Sequence, residues 1–552
     1  MDRETKRWKL QKILGLGQGH LQYDMDYFDY FSRRACGGLA QELSGTTMGR
    51  IEQGSSIARL NVLLEINHFF CHHCSLPVVL RAIREIYPEA RFVPYVPLTL
   101  WDQNVSTLQF VLGFYRSMGV EEEIVKASPN SEQINRAKSI VVENFTYFSG
   151  SIRRLSDFYF DGYPLGVHLA ESILQQLRVV DVEQTEASLL QSVSLIARYL
   201  WWKEYIEAND VGMLLGSHPC YEFSLPLLAG LRGGARAYLF SNNYLFDATT
   251  QLPLPLASFS PFREVKDLWN RLQPSRKTAY MQDAQLELAK RVRGQKTGSL
   301  LQDVRVGGER THKIPMEIAN PNNWPVVTIY CHAFSDAPCL LPPARFSYLA
   351  SPFISTTALL ETLSVCPVIT LIKTHPSNFY HDELALEQLL SQFPKVLRVP
   401  SSATVEAVKD LGTDVIVTGW GSITNEASYL GIPVLSYADF HKIATPLPIQ
   451  RFTLGDPDSF MSALALAISS PPIPTQAVEI YAATEMGLCY DLTCSRGNPR
   501  DESVWAEEPQ NTYDVWADTF EREKFQRTLN LIIDYFKERR RVLSEFVLEV
   551  GV

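Results

Sequence analysis

Polar and ionisable residues gather at four places in the sequence where a short run of apolar residues ends. The runs are followed by "CHAFSDAP", "KTHPSN", "PSSAT" and "TGWGSITNE". These segments contribute, in order, His332, Ser335, Asp336, Lys373, His375, Ser377, Asn378, Ser401, Ser402, Thr418, Gly419, Ser422 and Glu426. A charge at the end of a buried strand costs several kcal/mol of desolvation unless an opposite charge meets it. Lys373 and His375 therefore predict an anion nearby.

Two of these segments have the pattern of an anion-binding turn. Gly419, Gly421 and Ser422 lead into a predicted helix, whose first backbone N–H groups and positive dipole end attract phosphate. "PSSATVEAV" repeats the arrangement, with Ser402 as the predicted N-cap. Small polar residues before a helix are mostly caps, which is the commoner explanation of each serine taken alone. Together with the two cations, the two turns predict a site for a diphosphate or a nucleotide phosphate.

Glu426 and His375 each have a second interpretation. Glu426 lies one turn into its predicted helix, where a carboxylate accepts hydrogen bonds from ribose hydroxyls or simply stabilises the helix N-terminus. His375 precedes a proline and is either a phosphate contact or a hydrogen-bonded loop histidine. The occurrence of these residues on consecutive strand ends favours the binding interpretation.

The elements that must position these residues alternate between strand and helix. From Trp324, the strands "PVVTIYCHAF", "PVITLIK", "KVLRVP", "DVIVTG" and "PVLSY" are separated by helical patterns. Earlier in the chain, "ARLNVLLEIN" and "ARFVPYV" flank one predicted helix, and "DVGMLLGSHP" and "ARAYLFS" flank another. A mainly helical region, about 130 to 208, lies between those two units. Short apolar strands joined by helices predict parallel sheets, whose carboxyl ends bind ligands.

Composition limits the classes of function. The 552 residues carry a formal charge of -10, and the dispersed Lys and Arg argue against a nucleic-acid partner. No apolar run reaches the length of a membrane span, and "MDRETKRWKLQKILGLG" lacks the features of a signal peptide. Nine scattered cysteines fit reduced thiols. "KRWKLQKILGLG" is either a solvated terminal helix or a basic helix that touches a membrane or partner. We predict a cytoplasmic protein.

The ordered set of segments resembles the bacterial capsular and surface-polysaccharide glycosyltransferases of GT-B architecture, including the Kdo transferases of capsule assembly. "KTHPSN" matches their His-Pro motif, "PSSAT" their Ser-Ser motif, and "TGWGSITNEASYLGIPVLSY" their Glu-Ala and Gly-x-Pro-Val pattern. "HAFSDAP" is similar to their His-x-x-x-Asp-Ala segment. The resemblance covers about 325 to 440 and, more thinly, 155 to 245. The usual Lys-Pro-His-Pro is Lys-Thr-His-Pro here, which departs from the family pattern.

This resemblance implies an α/β fold of GT-B type, with two Rossmann-like domains whose parallel sheets face an interdomain cleft. The predicted divisions are an N-terminal helical extension (1–57), an acceptor-side Rossmann-like domain with a helical insertion (58–315), a nucleotide-sugar-binding Rossmann-like domain (316–480) and a C-terminal helical tail (481–552). By the same analogy, the last helix returns to brace the first lobe.

The resemblance also implies roles for individual residues. His375, Pro376, Ser401 and Ser402 match positions that contact the phosphate of the donor nucleotide and its neighbours. His332 and Asp336 match the segment that opens the second lobe. The family's chemistry needs no metal, so we predict neither a metal nor a cofactor, with the nucleotide-sugar as substrate.

The reacting groups are expected mainly from the first lobe. Displacement at an anomeric carbon needs a carboxylate or histidine that deprotonates the acceptor, or a carboxylate that attacks the sugar. Asp161, His168 and His218 are the candidates, and Asp161 is preferred; Asp157 is a fourth. Asp161 precedes Gly162 and is alternatively a turn aspartate. The stereochemical course, inverting or retaining, stays open.

The run "HFFCHHCS" invites a zinc interpretation. Structural zinc sites usually draw on two separated ligand pairs, and no second Cys-x-x-Cys pair exists in the sequence. We predict instead a strand-to-helix loop that lines the crevice, where His72 or His73 contacts the acceptor or the donor sugar.

The leading hypothesis is a glycosyltransferase that moves a sugar from a nucleotide-sugar, with a CMP-linked donor favoured by the analogy alone. The acceptor would be a surface polysaccharide or a lipid-linked precursor, and the protein would associate peripherally with the inner face of the plasma membrane. Three alternatives remain: a teichoic-acid-type polyol-phosphate transferase, a sugar-nucleotide 2-epimerase, and a noncatalytic carbohydrate-binding protein of the same fold.

Overall fold

The computed structural model describes residues 39, 41–45, 60–66, 70–97, 105–121, 123–148, 151–181, 185–217, 220–240, 245–248, 269–270, 272–295, 311–334, 352–375, 380–419, 421–437, 449–483, 492, 494 and 516–538. Most of the predicted N-terminal extension, including "KRWKLQKILGLG", lies outside these residues. Within them, none of the helices combines the length and the apolar composition that crossing a lipid bilayer requires.

The first lobe is built on a six-stranded sheet. Its strands are β1 (Asn61–Glu65), β2 (Arg91–Val96), β3 (Val125–Lys126), β4 (Val211–Gly216), β5 (Arg236–Phe240) and β6 (Leu245–Asp247). Their order across the sheet is β3-β2-β1-β4-β5-β6, and all neighbours are parallel except the antiparallel pair β5 and β6. Almost every residue of β1 and β4 is buried, as expected for strands covered on both faces.

Among the described residues, eight helices accompany this sheet. They are α1 (Phe70–Ile86), α2 (Val105–Ser117), α3 (Ser131–Glu143), α4 (Phe145–Phe148), α5 (Ile152–Ser156), α6 (Leu165–Leu177), α7 (Glu186–Ala208) and α8 (Ser224–Arg232). The stretch from α3 to α7 is the helical insertion that the sequence pattern predicts between about 130 and 208. Capping boxes define the starts of α3 and α7, at Asn130 and Thr185.

The second lobe contains a second six-stranded sheet. Its strands are β7 (Val326–Tyr330), β8 (Ile369–Lys373), β9 (Leu397–Val399), β10 (Val415–Thr418), β11 (Val434–Ser436) and β12 (Gln450–Arg451), all parallel, in the order β12-β11-β10-β7-β8-β9. Its helices are α9 (Pro274–Val292), α10 (Pro352–Ser364), α11 (Tyr380–Leu390), α12 (Val405–Asp410), α13 (Ile423–Tyr429), α14 (Pro457–Ser469) and α15 (Pro474–Tyr481). The predicted α/β fold with two Rossmann-like sheets is confirmed.

Both sheets have the same strand order. Counted within each sheet, the order is 3-2-1-4-5-6, which places the topological switch point between the first and fourth strands. The switch points are therefore β1 beside β4 in the first lobe and β7 beside β10 in the second. Ligands of open α/β sheets bind beyond the carboxyl ends of the strands at such a point.

The two lobes meet near helices that start or end at the carboxyl edges. Val180, just after α6, packs against the core of the second lobe, and Ile354, in the first turn of α10, packs against the core of the first. The pKa of His381, at the start of α11, is lowered by burial and then by the charge of Arg178. Because α10 and α11 start beyond the carboxyl ends of β7 and β8, these contacts place the cleft at that edge of the second sheet.

The C-terminal helix α16 (Arg522–Glu538) returns to the first lobe and packs against α1. Phe536 lies edge-on to Tyr238, with 5.0 Å between ring centroids, and Trp516 lies 6.1 Å from Phe114. The amphipathic pattern of the tail predicts such a packed face, and the return to the first lobe agrees with the GT-B analogy.

The run "CHHC" is not a loop. Helix α1 begins at Phe70, so Cys71 to Cys74 form its first turns, and the prediction of a strand-to-helix loop is wrong. His73 is 1% exposed, and its Nδ1 lies 2.7 Å from the Tyr115 hydroxyl. Burial of His73 and Cys74 against the core extends the helix by several residues beyond the apolar periodicity that begins at Ser75.

Candidate functional site

Two sequence-predicted histidines come together at the edge of the second sheet. His332 follows β7 by two residues and His375 follows β8 by two residues, and Tyr330 pairs with Lys373 in the register of these neighbouring strands. The imidazole centroids lie 5.9 Å apart at an interplanar angle of 76°. Both side chains are half-buried, so each ring keeps a solvent-facing part. The parallel register alone places the two rings side by side.

Lys373 is buried, at 5% exposure, and the structure shows what meets its charge. Its Nζ donates to the Ser401 carbonyl at 2.8 Å and lies 5.1 Å from the centroid of the Tyr330 ring. A carbonyl dipole and an aromatic face both stabilise an ammonium group. Lys373 thereby ties the turn after β9 to the end of β8.

The N-cap of α12 is Thr404, so the prediction of Ser402 is wrong. Thr404 Oγ1 accepts from the Ala407 N–H at 3.1 Å. Ser402 instead faces Thr311: their hydroxyls lie 2.8 Å apart, and the Thr311 N–H donates to the Ser402 carbonyl. Ser401 and Ser402 lie in a turn in which the Ala403 N–H donates to the Pro400 carbonyl, and Ala403 forms a parallel bridge with Thr311, so the helix starts two positions later than predicted.

The turn after β10 lies next to the histidine pair, since β10 neighbours β7 on its other side. Thr418 Oγ1 donates to the Tyr330 carbonyl at 3.2 Å, and the Ser436 hydroxyl donates to the Gly419 carbonyl at 3.1 Å. These bonds fix the carboxyl end of β10 to the strands on both sides.

Two positions in this turn favour glycine over a residue with a side chain. A Cβ on Gly419 would lie 3.0 Å from Tyr437 Oη, and Gly421 has a φ of +131°, which side chains rarely adopt. Ser422 follows at the start of α13, exposed, and its side chain makes no capping bond. The turn therefore presents the first amides of a short helix beside the two imidazoles.

Glu426 is only 8% exposed and faces the second sheet's flanking helices. Its Oε1 lies 3.8 Å from Arg291 Nη1 and makes no hydrogen bond to any described residue. Burial, followed by the Glu426 charge, raises the pKa of Tyr330 well above its ordinary value.

Several candidates lie outside the described residues. They are Ser335 and Asp336 after β7, Pro376, Ser377 and Asn378 after β8, and His218 after β4.

Asp161 sits in a tight turn of the first lobe. It has a φ of +54°, and its carboxylate accepts from Lys203 Nζ at 2.8 Å and from the Tyr199 hydroxyl at 3.3 Å. Burial, followed by the charge of Asp161, raises the pKa of Tyr199. Asp157 is the C-cap residue of α5 and is exposed.

His168 is fully buried within α6, at 0% exposure. Neither ring nitrogen has a hydrogen-bond partner among the described residues, and burial lowers the pKa of the imidazole to about 3. The ring is therefore neutral near pH 7 and enclosed by the core of the first lobe.

The structure adds a carboxyl group that the sequence analysis missed. Glu65 ends β1 at the switch point of the first sheet and is 1% exposed. One of its oxygens accepts from the Ser217 N–H at 2.9 Å, and the other accepts from the Ser217 hydroxyl. Burial raises the pKa of Glu65 to about 7. The available signal was an acidic residue that ends the apolar run "NVLLE".

The surroundings of Glu65 are aromatic and polar. The Tyr115 hydroxyl donates to the Glu65 carbonyl at 3.2 Å and contacts His73. Burial, followed by the charge of Glu65, raises the pKa of Tyr95 well above its ordinary value. A Cβ on Gly216 would lie 3.2 Å from Glu65 Oε2, so glycine leaves room for the carboxylate.

Sequence comparisons give no family. No family model matches the chain, and no curated protein matches it. Solved structures do match. A glycosyltransferase from Rickettsia africae ESF-5 is 8% identical, covering 87% of this chain and 100% of that one, with a TM-score of 0.26. An Anabaena protein in complex with UDP and glucose is 11% identical over 87% and 100%, with a TM-score of 0.23. A UDP-GlcNAc 2-epimerase from Neisseria meningitidis is 10% identical over 81% and 98%, with a TM-score of 0.24. These values are low, so the architecture rests on the two sheets themselves.

Proposed function

We propose that the protein is a glycosyltransferase that binds the phosphate of a nucleotide-sugar at the carboxyl edge of the second sheet. The observation that carries the proposal is the His332–His375 pair, which lies between the glycine turn after β10 and the buried ammonium of Lys373. Imidazoles and backbone amides are the groups that stabilise an anionic leaving group without a metal.

In the proposed reaction, the acceptor hydroxyl forms a bond to the anomeric carbon as the bond from that carbon to the donor phosphate breaks. The acceptor's proton passes to a base, and the nucleotide leaves with the negative charge. For the base we propose His218, because among Asp161, His168 and His218 it alone directly follows the carboxyl end of a strand. Asp161 is paired with Lys203 and His168 is enclosed, which argues against direct contact with a substrate.

For the substrates we propose a sugar nucleotide, with a CMP-linked donor suggested by the capsule-transferase resemblance. The acceptor is a surface polysaccharide or its lipid-linked precursor, which would bring the protein to the inner face of the plasma membrane. Ser401 and Ser402 support the phosphate region indirectly in this scheme, through Lys373 and Thr311.

The test is a thermal-shift screen of the full chain against CMP, CDP, UDP and GDP. A nucleotide at 100 times its dissociation constant stabilises the folded state by about 2.7 kcal/mol. We expect one of the four to raise the melting temperature, and His375→Ala to abolish that shift because it removes half of the imidazole pair. His312→Ala, at an exposed histidine, is the matched control and should keep the shift. An unchanged shift in His375→Ala would contradict the mapping.

Analysis of the reaction products distinguishes the proposed glycosyltransferase from the three alternative functions. A glycosidic product supports the proposal, whereas a phosphodiester product identifies a polyol-phosphate transferase. Conversion of the donor without any acceptor identifies an epimerase. Glycan binding without nucleotide binding identifies a noncatalytic protein.

A further inference from the structure

The helix that precedes the second sheet, α9, places an arginine beside the candidate nucleotide site. The Arg291 side chain is 8% exposed, and its Nε donates to Glu287 Oε1 at 3.1 Å within the same helix. Its guanidinium carbon also lies 5.4 Å from the centroid of the Tyr481 ring on α15. The arginine is therefore held by its own helix and by an aromatic face, independently of the β10 turn.

Glu426 is the third neighbour of Arg291 and differs from the other two. Its side chain is 10% exposed, and the distance of 3.8 Å from Oε1 to Arg291 Nη1 is an ion-pair distance but too long for a hydrogen bond. Oε1 has no hydrogen-bond partner among the described residues. Buried polar atoms are nearly always hydrogen-bonded, so an orphan acceptor of this kind calls for a missing partner.

The two observations fit together. Arg291 compensates the charge of Glu426 without occupying the lone pairs of Oε1, because Nη1 lies 3.8 Å from Oε1, beyond hydrogen-bond distance. A carboxylate whose charge is compensated but whose oxygen has no hydrogen bond can accept a hydrogen bond from a ligand hydroxyl. Asn425 Oδ1 and Tyr330 Oη, both buried, likewise lack partners among the described residues.

We propose that Arg291 is a positioning residue for nucleotide binding: it holds the Glu426 carboxylate so that Oε1 accepts a hydrogen bond from a hydroxyl of the bound nucleoside. The inference rests on the proposed function, since it assumes that a nucleotide occupies the turn after β10. It assigns a role to the segment between the two sheets, whose helix α9 becomes part of the nucleotide site. Arg291 acts through Glu426 and not by contacting the phosphate.

The test compares the wild-type chain with Arg291→Gln, Arg291→Lys and Arg293→Gln by isothermal titration with CMP, CDP, UDP, GDP and inorganic pyrophosphate. Arg293 is the matched control, because it lies two residues away on the surface, 56% exposed, and pairs with Glu406. A hydrogen bond to a charged group contributes enough that we expect Arg291→Gln to weaken nucleotide binding about tenfold or more. Pyrophosphate affinity should stay unchanged, and Arg291→Lys should restore part of the nucleotide affinity.

Two results would overturn the inference. If Arg291→Gln binds nucleotide as Arg293→Gln does, Arg291 does not position the nucleoside contact. If Arg291→Gln loses pyrophosphate and nucleotide affinity equally, the arginine supports the fold or the phosphate instead. Failure of the proposed function has a different signature, because the wild-type chain would then bind none of CMP, CDP, UDP and GDP.

Discussion

Glu65→Gln is expected to be more stable than the wild type above pH 7, by about 3 kcal/mol, and equally stable below pH 4.5. Burial raises the pKa of Glu65 from 4.5 to about 7. Between these values the folded state keeps a proton that the unfolded state has lost, so the stability of the wild type falls as the pH rises through this window. Above pH 7 the full cost of a buried charge is present. Glutamine carries no charge and retains a hydrogen bond to each Ser217 group.

The measurement is denaturant unfolding at intervals from pH 4.5 to pH 8, followed by tryptophan fluorescence. Glu85→Gln is the control, because Glu85 is an exposed partner of Arg81 and should give a curve parallel to the wild type. A residual slope should remain in Glu65→Gln, since burial also raises the pKa of Glu222 to about 7. Parallel curves for the wild type and Glu65→Gln would refute the assignment of a protonated, buried Glu65.

Gly421→Ala is expected to destabilise the second lobe by about 1 to 3 kcal/mol and to weaken nucleotide binding. The glycine has a φ of +131°, and the nearest atom to an added Cβ is Ile423 Cγ2 at 3.8 Å, so the cost is backbone strain alone. Relief of that strain would turn the amides at the start of α13 away from the imidazole pair. Nucleotide affinity should therefore fall beyond what the loss of stability explains.

Gly412→Ala is the matched control for this effect. Gly412 has a φ of +83° with no atom within 4 Å of an added Cβ, and it lies between α12 and the amino end of β10, away from the carboxyl edge. It should lose stability to a similar extent but keep its nucleotide affinity. Equal affinity in the two variants would show that the turn after β10 does not bind the phosphate.

The sequence predicts the strands well because both sheets are covered on two faces. "ITLIK" and "VIVT" are almost wholly buried, and such runs stand out from the amphipathic helices around them. Neighbouring parallel strands end at the same edge of the sheet, and each histidine follows its strand by two residues. The sequence therefore predicts that His332 lies beside His375.

Local sequence patterns do not predict the contacts between segments that are distant in sequence. Thr404 caps α12, whereas Ser402 lies in a turn whose hydroxyl faces Thr311, a residue far away in sequence. The pairing of Glu65 with Ser217 requires β1 and β4 to be neighbours, although the whole helical insertion separates them. Arg291 reaches Glu426 only because α9 packs on α13. Tertiary packing, not propensity, decides each of these.

The central claim is that the phosphate of a nucleotide binds where β7, β8 and β10 end. A crystal structure of the full chain with bound UDP or CMP measures this directly. The account predicts a phosphate oxygen within hydrogen-bond distance of His375 and of a backbone amide between Gly421 and Ile423. A phosphate bound elsewhere, with the imidazole pair and this turn in contact with solvent only, would contradict it.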